Sequence, residues 1–146
     1  MSIAFTVFGK PAQMGSKKAF FRPGMKRAVI VDDNSAKRKQ WSGAFADKAA
    51  ETMGGAELMH EPIEVHLDFF FARPASHFGS GKNAGRLKDS APGMHCQTPD
   101  IDKLVRAALD SMTGTVYRDD KQVVNLAATR SWTQEQERCE VSVKRI

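Results

Sequence analysis

Ile63-Glu64-Val65-His66-Leu67-Asp68-Phe69-Phe70-Phe71 alternates apolar and polar side chains almost without a break. Successive side chains of a strand point to opposite faces. Ile63, Val65, Leu67, Phe69 and Phe71 therefore share one face, and Glu64, His66 and Asp68 the other. The pattern predicts a sheet buried on one side. Working outward, Ile3, Phe5 and Val7 alternate through residues 3–8 and predict a first strand. Residues 11–24 read as a basic, turn-rich loop, and residues 27–31 as a short second strand antiparallel to the first. Beyond the central strand, residues 122–129 and 138–145 predict two closing strands, the last with Cys139, Val141 and Val143 turned inward.

Two stretches have the other period. Trp41, Ala44, Phe45, Ala49 and Met53 fall at helical spacing, after the N-cap candidates Asp33, Asn34 and Ser35 and before a stop at Gly54-Gly55. Ile101, Leu104, Val105, Ala108 and Met112 form one apolar stripe over residues 101–112, with Gly114 suited to the C-terminal cap. The order is β-β-α-β-α-β-β. Strands outnumber helices without alternating strictly with them. The expected fold is α+β: one domain over residues 1–146, with two helices packed on a mixed sheet.

Composition sets the class. The 146 residues are 41% hydrophobic and 27% charged, enough for one ordinary domain with its own core. No apolar run approaches the roughly 18 residues of a membrane helix. Residues 1–9 lack the basic lead and cleavage-like site of a signal peptide. Cys96 and Cys139 are too few for a disulfide scaffold and fit a reducing cytoplasm, with both thiols as packing residues. Together with four scattered histidines they argue against a zinc finger.

Charge is more telling. The chain carries +5 overall, but residues 10–39 hold nine basic side chains (Lys10, Lys17, Lys18, Arg22, Lys26, Arg27, Lys37, Arg38 and Lys39) against Asp32 and Asp33, a local +7. Such a segment suits a polyanionic partner, or is simply a solvated surface. Residues 73–99 have no period and exceed the roughly 12–15 residues of a plain loop. They include Lys82 and Lys88, and are read as functional. Their histidines, His77 and His95, can contact such a polyanion, support a metal site or lie in solvent. His66 is read as structural, and Trp41 and Phe45 as core.

At Pro99-Asp100-Ile101-Asp102-Lys103-Leu104 an acidic pair opens the second helix. In mid-helix, residues i and i+2 point about 200° apart. Asp100 is a natural N-cap, however, and need not be helical, so a cap residue and a first-turn residue can bring two carboxylates to one point. Asp119-Asp120 follows the helix at the start of the next strand. Asp100, Asp102 and one of that pair can therefore converge. Such a cluster is stable with a hard cation, Mg²⁺, or Mn²⁺ in vitro. The alternative is ordinary helix chemistry: caps, an i, i+4 pair between Asp102 and Arg106, and a turn at Asp119-Asp120.

Pro99-Asp100-Ile101-Asp102-Lys103-Leu104-Val105-Arg106-Ala107-Ala108-Leu109-Asp110 resembles the central motif of the RusA family of Holliday junction resolvases, as does Gly114-Thr115-Val116-Tyr117-Arg118-Asp119-Asp120-Lys121-Gln122-Val123-Val124. Arg73-Pro74-Ala75-Ser76-His77-Phe78 and Ala91-Pro92-Gly93-Met94-His95 are similar to the long-loop branch of that family. The resemblance implies a small homodimeric, Mg²⁺-dependent endonuclease, often of phage or prophage origin. It implies paired nicks across four-way DNA, leaving 5′-phosphate and 3′-hydroxyl ends. The family's acidic triad falls on Asp100, Asp102 and Asp120, with Asp119 as second-choice ligand. Its lysine falls on Arg106, which can clamp a phosphate but cannot give up a proton; Lys103 is the possible substitute. Lys10, Lys17, Lys18, Arg22, Lys26, Arg27, Lys82 and Lys88 are the expected DNA contacts. The alternative reading is a DNA-binding protein that keeps the fold without cutting. A phosphatase of small substrates fits the +7 segment less well.

Overall fold

The computed structural model describes residues 1–13, 17–20, 24, 29–32 and 35–146, with 17–20 and 29–32 described by their backbone. Its elements are β1 (Ser2–Phe8), β2 (Lys17–Phe20), β3 (Val29–Asp32), α1 (Ser35–Met53), β4 (Ile63–Ala72), α2 (Ile101–Met112), β5 (Val123–Thr133) and β6 (Arg138–Arg145), with short 3-10 turns at Ala75–His77, Gly81–Asn83 and Asp120–Gln122. Four strands form one mixed sheet in the order β1-β6-β4-β5, and β2 and β3 form a separate pair.

The alternation of residues 63–71 is realised in β4, whose Ile63, Val65, Leu67, Phe69 and Phe71 are all buried. Val141 and Val143 of β6 and Ile3, Phe5 and Val7 of β1 continue the same apolar face. Trp41, Phe45, Ala49 and Met53 of α1, and Leu104, Ala108 and Met112 of α2, close over it. Phe45 meets Phe5 and Trp41 edge-on, at centroid distances of 5.7 and 5.8 Å. Each fully buried large side chain contributes about 1.5–3 kcal/mol. The opposite face is polar: Glu64 holds Lys144 at 3.3 Å and His66 at 3.6 Å, and the Arg138 guanidinium lies 4.1 Å from the Phe70 ring centre.

The connection that positions the site is the one between β4 and β5. These two strands are parallel, so the chain must cross from the end of one to the start of the other. Residues 73–99 and α2 make that crossing. The start of α2 consequently lies beside the far end of β5, where Arg130 donates to the Pro99 carbonyl.

Several expectations are corrected. β3 pairs with β2, not β1, in an antiparallel register from Lys17↔Asp32 to Phe20↔Val29. The basic loop thus contains a strand, whose Lys-Lys-Ala-Phe sequence has no alternation to announce it. β1 takes its partner from the other end of the chain, β6. β5 runs four residues past 129, because the parallel ladder follows β4 to its last residue, Ala72↔Thr133. Ala44 is exposed, and so is Cys96, whereas Cys139 is buried and its thiol is pushed up by burial. The N-cap candidates Asp33 and Asn34 lie outside the described residues. No helix among the described residues is long and apolar enough to cross a membrane.

Candidate active site

α2 begins where the sequence places it. Asp100 is its N-cap, with extended backbone (φ −72°, ψ 141°), and its carbonyl accepts from the Leu104 N–H. Yet the Asp100 carboxylate makes no capping hydrogen bond. It lies 3.7 Å from Lys103 Nζ and is half exposed. The segment before it is gripped from two sides. Arg130 Nη1 donates to the carbonyls of Gln97 and Pro99, and Gln13 Oε1 accepts from the Asp100 N–H at 2.8 Å. The backbone of the motif is therefore fixed while its carboxylates stay available.

Asp102 and Arg106 are exposed and, among the described residues, form no ion pair with each other. Asp119 behaves differently. Its carboxylate accepts from the Lys121 N–H at 3.0 Å, while Gln122 reaches back to the Asp119 N–H at 2.9 Å, a complete capping box. The hydrogen bond from the Lys121 N–H holds the Asp119 carboxyl below the usual range, with a smaller contribution from a hydrogen bond to Asp120. Gln122 also donates to the carbonyls of Met59 and Glu61, which locks the turn to the core. Asp120 opens this 3-10 turn rather than the strand itself, and its side chain is exposed. Its charge and that of Asp110 reach the buried Tyr117 hydroxyl, which donates to the Leu109 carbonyl.

The arrangement brings together Asp100 with Lys103, and Asp119 with Asp120. Among the described residues, no three His, Cys, Asp or Glu side chains are gathered closely enough to hold a metal ion. In kind, the donors suit a hard divalent cation: acceptor-only carboxylates, exposed, with Asp100 and Asp102 not engaged by the backbone. Of the expected DNA contacts, Lys10, Lys82 and Lys88 are exposed. Lys17 and Lys18 belong to β2, and Arg22, Lys26 and Arg27 lie outside the described residues.

Sequence reading missed two positioning residues and one buried cluster. Arg130 had a signal: it faces the same side as Ala128 and Trp132, a charge on an otherwise apolar face. Gln13 had none. The cluster lies beneath residues 73–99. His77 and His95, expected in solvent as readily as in a site, are 9% and 5% exposed. His95 stacks on Phe71 at 4.4 Å and leans on Trp132 at the same distance. His77 meets Trp132 edge-on, and Arg73 Nη1 lies 3.4 Å from His77 Nδ1 and 2.7 Å from the Pro92 carbonyl. A guanidinium only donates, so His77 Nδ1 accepts. Burial first, and then the Arg130 charge, lower the His95 pKa from 6.5. Gly79 tightens the loop further: a Cβ there would sit 2.6 Å from the Asn83 Cβ.

A small α+β domain with available carboxylates at a crossing helix, in a basic chain, has the layout of a nucleic-acid enzyme. Residues 15–144 match the family model for endodeoxyribonuclease RusA, and the chain belongs to that family of endodeoxyribonucleases. It is also similar to the uncharacterized protein YqaN of Bacillus subtilis (strain 168), at 23% identity over 146 residues, covering 99% of this chain and 96% of that protein.

Proposed function

We propose that the chain is a Mg²⁺-dependent, structure-selective endonuclease that resolves four-way DNA junctions by paired symmetric nicks, leaving 5′-phosphate and 3′-hydroxyl ends. The observation that carries this reading, within the family match, is the start of α2. The Asp100 carboxylate is not used as a cap, although the backbone around it is held by Arg130 and Gln13. That is the distribution expected of a positioned functional group rather than of a helix cap.

In this reading Asp100, Asp102 and Asp120 would hold the metal, with Asp119 the poorer candidate because its carboxylate is engaged in the capping box. When bound, a divalent cation supplies charge to the scissile phosphate and lowers the pKa of a coordinated water. The protein does the rest. A carboxylate at α2 accepts the proton of the attacking water. Arg106 or Lys103 offsets the charge that grows on the phosphate oxygens. Lys10, Lys17 and Lys18, with Lys82 and Lys88 from the loop, carry the DNA backbones.

Paired cuts require two active centres, and a C2 dimer supplies them. The edge of β5 supports this: among the described residues it pairs only with β4 in the sheet, and it exposes Val124 and Leu126. Light scattering at working concentration tests the dimer. Incubation of a synthetic four-way junction with and without Mg²⁺ tests the activity. Symmetric nicks only with Mg²⁺ are expected. A bound but uncut junction under both conditions would favour the non-cutting DNA-binding protein, the alternative raised by Arg106 in place of the family lysine.

A further inference from the structure

Asp100 and Asp119 are built alike and completed differently. Both are N-caps with extended backbone. In a capping box the side chain three residues on accepts from the cap N–H. Gln122 does this for Asp119, at 2.9 Å. The same position after Asp100 is Lys103, whose ammonium only donates. The Asp100 N–H therefore has no side-chain acceptor in its own turn. It takes one from 87 positions away, the side-chain carbonyl of Gln13, at 2.8 Å.

Gln13 occupies a particular place in the chain. The segment after β1 is fixed to the domain: the Gly9 N–H donates to the Glu137 carbonyl, and Pro11 is fully buried. Gln13 lies past that anchor and before β2. β2 and β3 pair with each other and, among the described residues, with no strand of the main sheet. The stretch that leaves at Gln13 and returns at α1 carries Lys17, Lys18, Arg22, Lys26 and Arg27. One side chain thus stands at the root of the basic segment and on the backbone of the acidic helix start.

We propose that Gln13 is a positioning residue that makes the placement of Asp100 depend on DNA held by the basic segment. This rests on the nuclease reading above and names how its site is regulated. In the free chain the link is one exposed hydrogen bond, which gains little over the bonds both groups make to water. Phosphates drawn to Lys17 and Lys18 restrain the chain on the hairpin side of Gln13, while Pro11 restrains it on the other. Gln13 is then held from both sides, and its hydrogen bond to Asp100 stays made. Arg130, on the Pro99 carbonyl, keeps the preceding residue from moving away. The Asp100 carboxylate is set for its task when a junction is in place.

Amide exchange tests this on the metal-free full chain, and cleavage with Mg²⁺ tests it a second time. A saturating four-way junction, with binding followed by gel shift, should slow exchange of the Asp100 amide about tenfold, the scale of one net hydrogen bond. Gln13→Met, which keeps a side chain of similar length and removes the acceptor, should bind the junction and lose the slowing. Gln13→Glu, which keeps an acceptor, should retain it. Slowing that persists in Gln13→Met is simple covering by DNA and overturns the inference. With Mg²⁺ and saturating junction, Gln13→Met should lower the single-turnover rate without weakening binding. Lys17→Ala with Lys18→Ala should lower the rate of the parent but not that of Gln13→Met, because residues that act through one another are not additive. Equal effects in both backgrounds overturn the inference and leave the nuclease reading standing. Absence of junction binding, or of cleavage by the parent, overturns the nuclease reading and the inference with it.

Discussion

The two ends of the long connection between β4 and α2 use their polar side chains in opposite ways. Beneath it, His77, His95, Arg73 and Arg130 are packed on Phe71 and Trp132 or bonded to carbonyls. At its exit, Asp100 and Asp102 face solvent with no backbone partner. The first group is committed to the fold; the second is available for chemistry. Committed groups should govern stability, available groups activity, and each prediction below is a way to break that division.

The largest effect is expected at Asp102. Asp102→Asn keeps the shape and removes one negative charge. Loss of each 1.4 kcal/mol of transition-state stabilisation slows cleavage about tenfold, so losing the metal should abolish detectable nicking. Junction binding should survive or tighten, because a carboxylate facing phosphates repels them. Stability should change by less than about 1 kcal/mol, the scale of a charge at a helix N-terminus. Parent-rate cleavage by this variant would make the acidic pair a helix feature and nothing more.

Asp119 sharpens the comparison, because it sits beside Asp120 yet belongs to the committed group. Asp119→Ala removes the acceptor for the Lys121 N–H and half of the capping box. The melting temperature should fall while Mg²⁺-dependent cleavage is retained. The reverse pattern, full stability with lost cleavage, would exchange the roles of Asp119 and Asp120.

How much of this division was legible in the sequence depends on periodicity. β4, β6 and α2 announce themselves, because one face of each is buried against the others and the apolar spacing follows. β2 does not, since four residues without alternation carry no such signal. The start of α2 at Asp100 was legible from the cap and the apolar stripe that follows it, whereas no three carboxylates gather there among the described residues. The capping role of Asp119 could have been read as well: Asp119 and Gln122 have capping-box spacing. The histidine cluster was not legible. Its members lie at 73, 77, 95 and 132, brought together only by the parallel pairing of Phe71 with Trp132 and the fold-back of an aperiodic loop.

The loop's exposed cations are the available group on the committed segment. Lys82 and Lys88 are exposed. Changing both to Ala should weaken junction binding and make the salt dependence shallower by about 0.9 log units per lost phosphate contact. Lys17→Ala with Lys18→Ala should act in the same direction, and the slopes measured by salt titration rank the two segments. An unchanged slope for Lys82 and Lys88 would detach residues 73–99 from DNA.

The smallest effect belongs to His95, and its sign can be worked out. Its folded-state pKa lies below 6.5 because burial and the Arg130 charge disfavour the imidazolium. Above pH 6.5 both folded and unfolded chains hold a neutral imidazole, and the residue contributes no pH dependence. As the pH falls below 6.5 the unfolded chain takes up the proton first. Stability therefore declines with falling pH until the folded-state pKa is reached, below which both states are protonated and the loss is complete. His95→Gln removes this term while keeping a polar side chain against Phe71 and Trp132. Denaturant melts of parent and variant between pH 5 and pH 8 are compared as differences, so that carboxylate titrations cancel. The parent should lose stability relative to the variant on the acid side of that window and run parallel to it on the neutral side. A constant difference across the whole window would mean that His95 is not held neutral by its burial, and would remove it from the committed group.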